Sequence, residues 1–175
     1  MRARFSSVVG HQRNWGFPVK ETVDVETSVF SYLTARPSND LRAMANQNTT
    51  VEWWETRRPN YSIFASDLVI SEASRSHPAA AQRRLAAIAD HPLLQVSEKV
   101  RALAQALIES HALPEKAEAD AYHVAIAAVN GVAYLLTWNC TPIANAHARP
   151  KIETTRGALG YEPPVICTPL ELMEP

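Results

Sequence analysis

Residues 122–137 constrain the fold more than any other stretch of the chain. The run YHVAIAAV, residues 122–129, is apolar on nearly every side, and Asn130-Gly131 stops it. A helix that is apolar nearly all round has to be buried, and glycine just past the last helical residue is a common stop. VAYLLT follows at residues 132–137, a continuous apolar run of the kind found in strands covered on both faces of a parallel sheet. The apolar stretch 124–138 contains Asn130 and Gly131, and it falls short of the roughly 18–20 residues of a membrane span. The sequence therefore predicts a buried helix feeding a buried strand.

The rest of the chain supplies partners for that unit. In TVDVETSVF, residues 22–30, Val23, Asp24, Val25 and Glu26 alternate with the period of a strand. The segment PSND, residues 37–40, offers a helix start, and residues 41–57 read as a helix ended by Pro59. Residues 61–65 form a short β-prone run, after which Ser66 or Asp67 can cap a helix reaching Arg75. Pro78 suits a first helical turn, and AAAQRRLAAIAD continues it until His91-Pro92. Residues 93–96 are a candidate strand and Ser97 a candidate cap. Residues 98–111 then place Val100, Leu103, Ala104 and Leu107 on one helical face. Pro114-Glu115 opens the buried helix, and a helix at 143–148 and a strand at 165–167 complete the pattern. Strands separated by helices predict an α/β fold with a mainly parallel sheet and right-handed crossovers.

Composition sets the remaining bounds. The chain has 175 residues, 46% hydrophobic and 20% charged, which suits one domain with a sizeable core. A net charge of −1 excludes a global basic field, so any nucleic acid must be held by local arginines. Arg36, Arg42, Arg75 and Arg149 are the candidates, with Trp138 as a possible stacking face; solvated arginines and a core tryptophan are the plainer reading. Trp53-Trp54, flanked by Glu52 and Glu55, resembles a partner-facing patch. Cys140 and Cys167 form no disulfide framework and fit a reducing cytosol. Residues 1–20 lack periodicity and a signal-peptide core, so they are expected to be an N-terminal arm or extension. Residues 21–175 would then form one domain in a cytoplasmic protein.

In such sheets chemistry sits off the carboxyl ends of the strands. Glu26 ends the first strand, Glu72 lies in the helix after the second, Asp120 opens the buried helix, and Asn139 follows VAYLLT. Taken singly, Glu72 is an exposed helical glutamate, Asp120 a carboxylate favoured by the helix dipole and Asn139 a turn residue. Their shared position at strand ends is what singles them out. Clustered carboxylates repel one another unless a cation neutralises them. Oxygen ligands suit hard divalent ions, Mg²⁺ or Mn²⁺, which can activate a water against a phosphodiester.

At these residues the sequence resembles the PIN-domain family, and within it the VapC-type toxin ribonucleases of toxin–antitoxin pairs. The resembling segments are VETSVFSYLTARPS, SDLVISEASR, ADAYHVAIAAVNGVAYLLTWN with the following ANA, and PPVICTPLELM. The resemblance implies an α/β/α sandwich and a Mg²⁺- or Mn²⁺-dependent endoribonuclease acting on RNA. Glu26 matches the acid of the family's first-strand Asp-Thr motif, Glu72 its helical glutamate, Asp120 the acid opening the buried helix and Asn139 the acid after the fourth strand. Glu26, Glu72 and Asp120 are then the expected metal ligands. A small antitoxin partner and a homodimer are implied as well. Glu26 is one methylene longer than the usual aspartate and Asn139 carries no charge, so weaker metal binding is expected. Thr27 and Ser28 can orient a water or cap the next helix. Asp24 shares a face with Glu26 and is expected to support the site or pair with an arginine rather than ligate. His123, one turn from Asp120, reads as a packed core histidine, with contact to a phosphate or water as its alternative.

Two other readings compete. Asp24-Val25-Glu26-Thr27 loosely echoes a haloacid-dehalogenase motif, but only Lys151 follows Thr137 and no acidic pair comes after it. A PIN-like module without metal, serving as a binding scaffold, is the non-enzymatic alternative.

Overall fold

A computed structural model of the chain describes residues 19–75, 77–139, 149–162 and 164–173. Strand β1 (Thr22–Val25) leads into helix α1 (Thr27–Thr34), and α2 (Leu41–Thr56) follows. Asp40 caps α2 by accepting from Ala43 N at 2.8 Å. Next come β2 (Ser62–Ser66), α3 (Asp67–Ala73), α4 (Pro78–Ile88) and β3 (Leu93–Leu94). The second half holds α5 (Glu98–Glu109), α6 (Glu118–Val129), β4 (Tyr134–Leu136), α7 (Arg149–Ala158) and β5 (Val165–Cys167). The strands form one sheet in the order β3-β2-β1-β4-β5, with every neighbouring pair parallel.

Strand alternation sorts the apolar residues into two cores. Consecutive side chains leave a strand on opposite faces. Leu135 and Ile166 pack with Leu103 and Leu107 of α5, Ile126 of α6 and Ile152 of α7. Their neighbours Leu136 and Cys167 pack with Phe30 of α1, Trp53 of α2, Val69 of α3 and Ile88 of α4. Helices thus cover both faces, and the architecture is an α/β/α sandwich around a parallel sheet. Along α6, Ala121 and residues 123–128 are all buried, as its all-round apolar sequence requires. Gly131 ends this segment with φ +63°, a left-handed backbone that favours glycine.

Three features depart from the sequence expectations. The strand signal of residues 22–30 is cut short at Val25, because Glu26 caps a helix through Ser28 N. Val29 and Phe30 are buried in that helix and Leu33 packs beside them, a spacing that fits one helical face. The helix expected at 143–148 lies outside the described residues, whereas α7 occupies a segment whose Pro150 and Gly157 disguise its helical pattern. Trp53 is fully buried in the core beneath α2, so it is no partner-facing patch; Trp54 is half-buried beside it. Among the described residues no helix is long and apolar enough to cross a membrane.

Candidate functional site

From β1 the chain steps outward to β2 and β3 on one side of the sheet, while β4 and β5 lie on the other. The order therefore reverses between β1 and β4, and a crevice opens at their carboxyl ends. Glu26 directly follows β1, and Thr137, Trp138 and Asn139 directly follow β4. The ladder runs one residue further, since Glu26 N donates to Leu136 O at 3.0 Å. This places the two segments side by side.

Hydroxyl groups knit them together. Glu26 is buried, 7% exposed. Its Oε2 accepts from Ser28 N at 3.0 Å, from Thr137 Oγ1 at 2.9 Å and from Ser28 Oγ. Thr137 Oγ1 in turn accepts from Asn139 N at 2.8 Å, and Trp138 N donates to Ser28 Oγ at 2.9 Å. Asn139 Nδ2 donates to Asp120 Oδ1 at 2.6 Å, which joins the first turn of α6 to the same network. From α3, Glu72 Oε2 accepts from Thr27 Oγ1 and lies 3.1 Å from His123 Nε2. That nitrogen is 3.9 Å from Glu26 Oε1.

All four residues singled out in the sequence thus meet at one edge, in two groups. Glu26, Glu72 and His123 offer ligand atoms within 4.8 Å of one another. Asp120 and Asn139 form a bonded pair beside them, linked to Glu26 through Thr137. His123 is 2% exposed, as a packed histidine would be, yet its Nε2 faces the acids. Sequence reasoning passed over Thr137, whose single hydroxyl serves both strands; a threonine at the end of a buried strand was the available signal.

The side chains beneath the site explain its electrostatics. Burial, together with the charges of Glu26 and Glu72, pushes the Asp120 carboxyl up to about 6, against the pull of His123 and Asn139. Burial also disfavours charge on Glu72, but its bond to His123, the Thr27 hydroxyl and the nearby Arg75 hold it below the usual glutamate value. In His123 burial opposes the imidazolium, and Glu72, Glu26 and Asp24 outweigh it, so its pKa is raised. Asp24 is 1% exposed, and among the described residues it pairs with no arginine and neither of its carboxylate oxygens has a hydrogen-bond partner.

Asp24 gives a pH prediction. Burial raises its carboxyl from 3.8 to about 7, with Glu26 adding to the effect and His123 opposing it. The folded chain then holds this proton more tightly than the unfolded chain does. The resulting stability is fully present below about pH 4 and is lost as the pH rises through about 7. Asp24→Asn, uncharged at any pH, is expected to raise the melting temperature of metal-free protein at about pH 8 and to leave it nearly unchanged below about pH 4. Calorimetric scans across that range would show the two curves converging at low pH; parallel curves would sink the assignment.

Of the candidate phosphate contacts, Arg36, Arg42 and Arg75 are exposed, and the Arg149 side chain lies outside the described residues. Trp138 is half-buried, not a free stacking face. Its Nε1 donates to Thr50 Oγ1 at 2.7 Å and its ring meets Tyr32 edge-on at 6.0 Å. The donor set fits a divalent cation. Carboxylates and an imidazole nitrogen converge, and the buried Asp24 carboxyl lies within electrostatic reach of His123 and Glu26.

The chain has the PIN-domain fold of the VapC-type toxins. It is similar in structure to VapC20 from Mycobacterium tuberculosis, a sarcin–ricin loop cleaving toxin, with a TM-score of 0.54 and 18% identity over 80% of this chain and 96% of that one. It is similar also to VapBC2 from Rickettsia felis, solved bound to a DNA fragment from its promoter, with a TM-score of 0.54 and 15% identity over 84% and 98% of the two chains. No family model and no curated protein matches the sequence.

Proposed function

We propose that this chain is a metal-dependent endoribonuclease and the toxin component of a toxin–antitoxin pair. The observation that carries the reading is the meeting of Glu26, Glu72, Asp120 and Asn139 where the strand order reverses between β1 and β4. The fold shared with a sarcin–ricin loop cleaving toxin supports it.

Glu26, Glu72 and Asp120 would hold Mg²⁺ or Mn²⁺. Such an ion supplies charge against the phosphate and acidifies water. The chain's own residues do the rest. Ser28 and Thr137 fix the Glu26 carboxylate, Thr27 fixes Glu72, and Asn139 aims Asp120. Three carboxylates held this way pre-organise a negative crevice, so little rearrangement is left for the moment a cation enters. As part of the same proposal, a small antitoxin holds the toxin inactive, and the toxin is a homodimer in the cytoplasm.

One observation favours the scaffold reading. Every one of these acids already has a hydrogen-bond partner, and Asn139 occupies Asp120 as a donor rather than adding charge. Incubating the purified chain with single-stranded RNA, with Mn²⁺ or Mg²⁺ and with EDTA, decides between the two. Cleavage that EDTA abolishes is expected. No cleavage by folded protein with either ion would favour the scaffold.

A further inference from the structure

We propose that His123 is a direct metal ligand, and that this makes the site select a first-row transition ion over Mg²⁺. The inference rests on the reading that the crevice holds a divalent cation. The acid set matched by resemblance consists of oxygen donors, but the cluster that brings ligand atoms within 4.8 Å of one another among the described residues contains an imidazole. His123 Nε2 lies 3.1 Å from Glu72 Oε2 and 3.9 Å from Glu26 Oε1. Ligand atoms bound at roughly 2.0–2.2 Å cannot be more than about 4.4 Å apart, so both separations lie within reach of one ion.

A second observation points the same way. Among the described residues the other ring nitrogen, His123 Nδ1, is buried without a hydrogen-bond partner, and so are both carboxylate oxygens of Asp24. Asp24 and His123 are 1% and 2% exposed. Among the described residues Nδ1 therefore has no competing partner, while Nε2 is the ring nitrogen that faces Glu26 and Glu72. An ion takes the place of the proton that Nε2 shares with Glu72. Mg²⁺ demands oxygen ligands and gives up water reluctantly, whereas Mn²⁺, Co²⁺ and Zn²⁺ accept imidazole, with affinity rising from Mn²⁺ to Co²⁺.

The test uses the full chain. Calorimetric titration should show Co²⁺ binding tighter than Mg²⁺ by roughly tenfold or more, and His123→Gln should erase most of that preference by weakening Co²⁺ alone. Glutamine keeps a donor for Glu72 and removes the nitrogen lone pair. Should that variant fail to fold, pulsed EPR of Mn²⁺-loaded wild type carrying ¹⁵N-histidine gives the same answer, with a direct nitrogen coupling expected. Equal weakening of Mg²⁺ and Co²⁺ in the variant, or no nitrogen coupling, overturns the inference and leaves the metal centre standing. Absence of binding by any of these ions removes the metal centre itself, and this inference with it.

Discussion

Replacing Asp120 with asparagine is expected to reduce metal-dependent RNA cleavage by roughly a hundredfold or more, equivalent to about 2.7 kcal/mol in the barrier. The substitution keeps the shape of the side chain, and its carbonyl oxygen can still accept from Asn139 Nδ2, now at 2.6 Å from Asp120 Oδ1. The fold should therefore survive. The negative charge is lost at the mouth of the crevice, where Glu26 and Glu72 lie close enough to raise the Asp120 pKa. Because those neighbours oppose its ionisation, removing the charge should leave stability at neutral pH equal or slightly higher. Single-turnover cleavage alongside thermal melting checks both halves. Cleavage within about threefold of wild type would place the chemistry elsewhere.

Trp53→Ala is expected to cost about 3–5 kcal/mol of unfolding free energy, read from the shift of a urea unfolding curve. The indole is fully buried in the core shared by β1, β2 and α1 to α4, and it stacks on Tyr61 at 5.9 Å between ring centroids. Its Nε1 has no hydrogen-bond partner among the described residues, so the loss expected from truncation is that of packing and the cavity left behind. Domains of this size are stable by only about 5–15 kcal/mol, which makes this single change close to limiting. Trp54→Ala should cost clearly less, because that ring is only half-buried, with the Arg58 guanidinium 5.1 Å from its centroid. A loss below about 1 kcal/mol for Trp53→Ala would contradict the packing described.

The contrast between the two tryptophans shows where the sequence could be read and where it could not. Apolar runs report burial well: VAYLLT and the helix before it were legible because no other environment suits them. Prolines and hydroxyl caps at Pro78, Ser97 and Pro114 marked helix starts that the structure contains or that lie a short turn away. Trp53 was misjudged because its flanking glutamates speak for the exposed side of a helix, while the indole itself faces inward. The strand–helix junction at Glu26 was blurred because a glutamate is an uncommon cap, and its role depends on Ser28 N standing two residues on. The acids were found through their positions after strands, a rule about topology rather than about side chains. His123 and Thr137 escaped that rule. Their roles come from contacts spanning 51 and 111 residues, which no local pattern contains.

That long span has a consequence for biosynthesis. The bond from Thr137 to Glu26 closes over 111 residues, and β4 is the strand that flanks β1 on the side of the crevice. A chain emerging from the ribosome can pair β1 with β2 and β2 with β3 early, but it has neither Asp120 nor Asn139 until most of its length is made. If the chain cuts RNA as proposed, nascent and prematurely ended chains are harmless to the machinery producing them. The cell then has the interval between β3 and β4 in which to present an inhibitor before a competent nuclease exists.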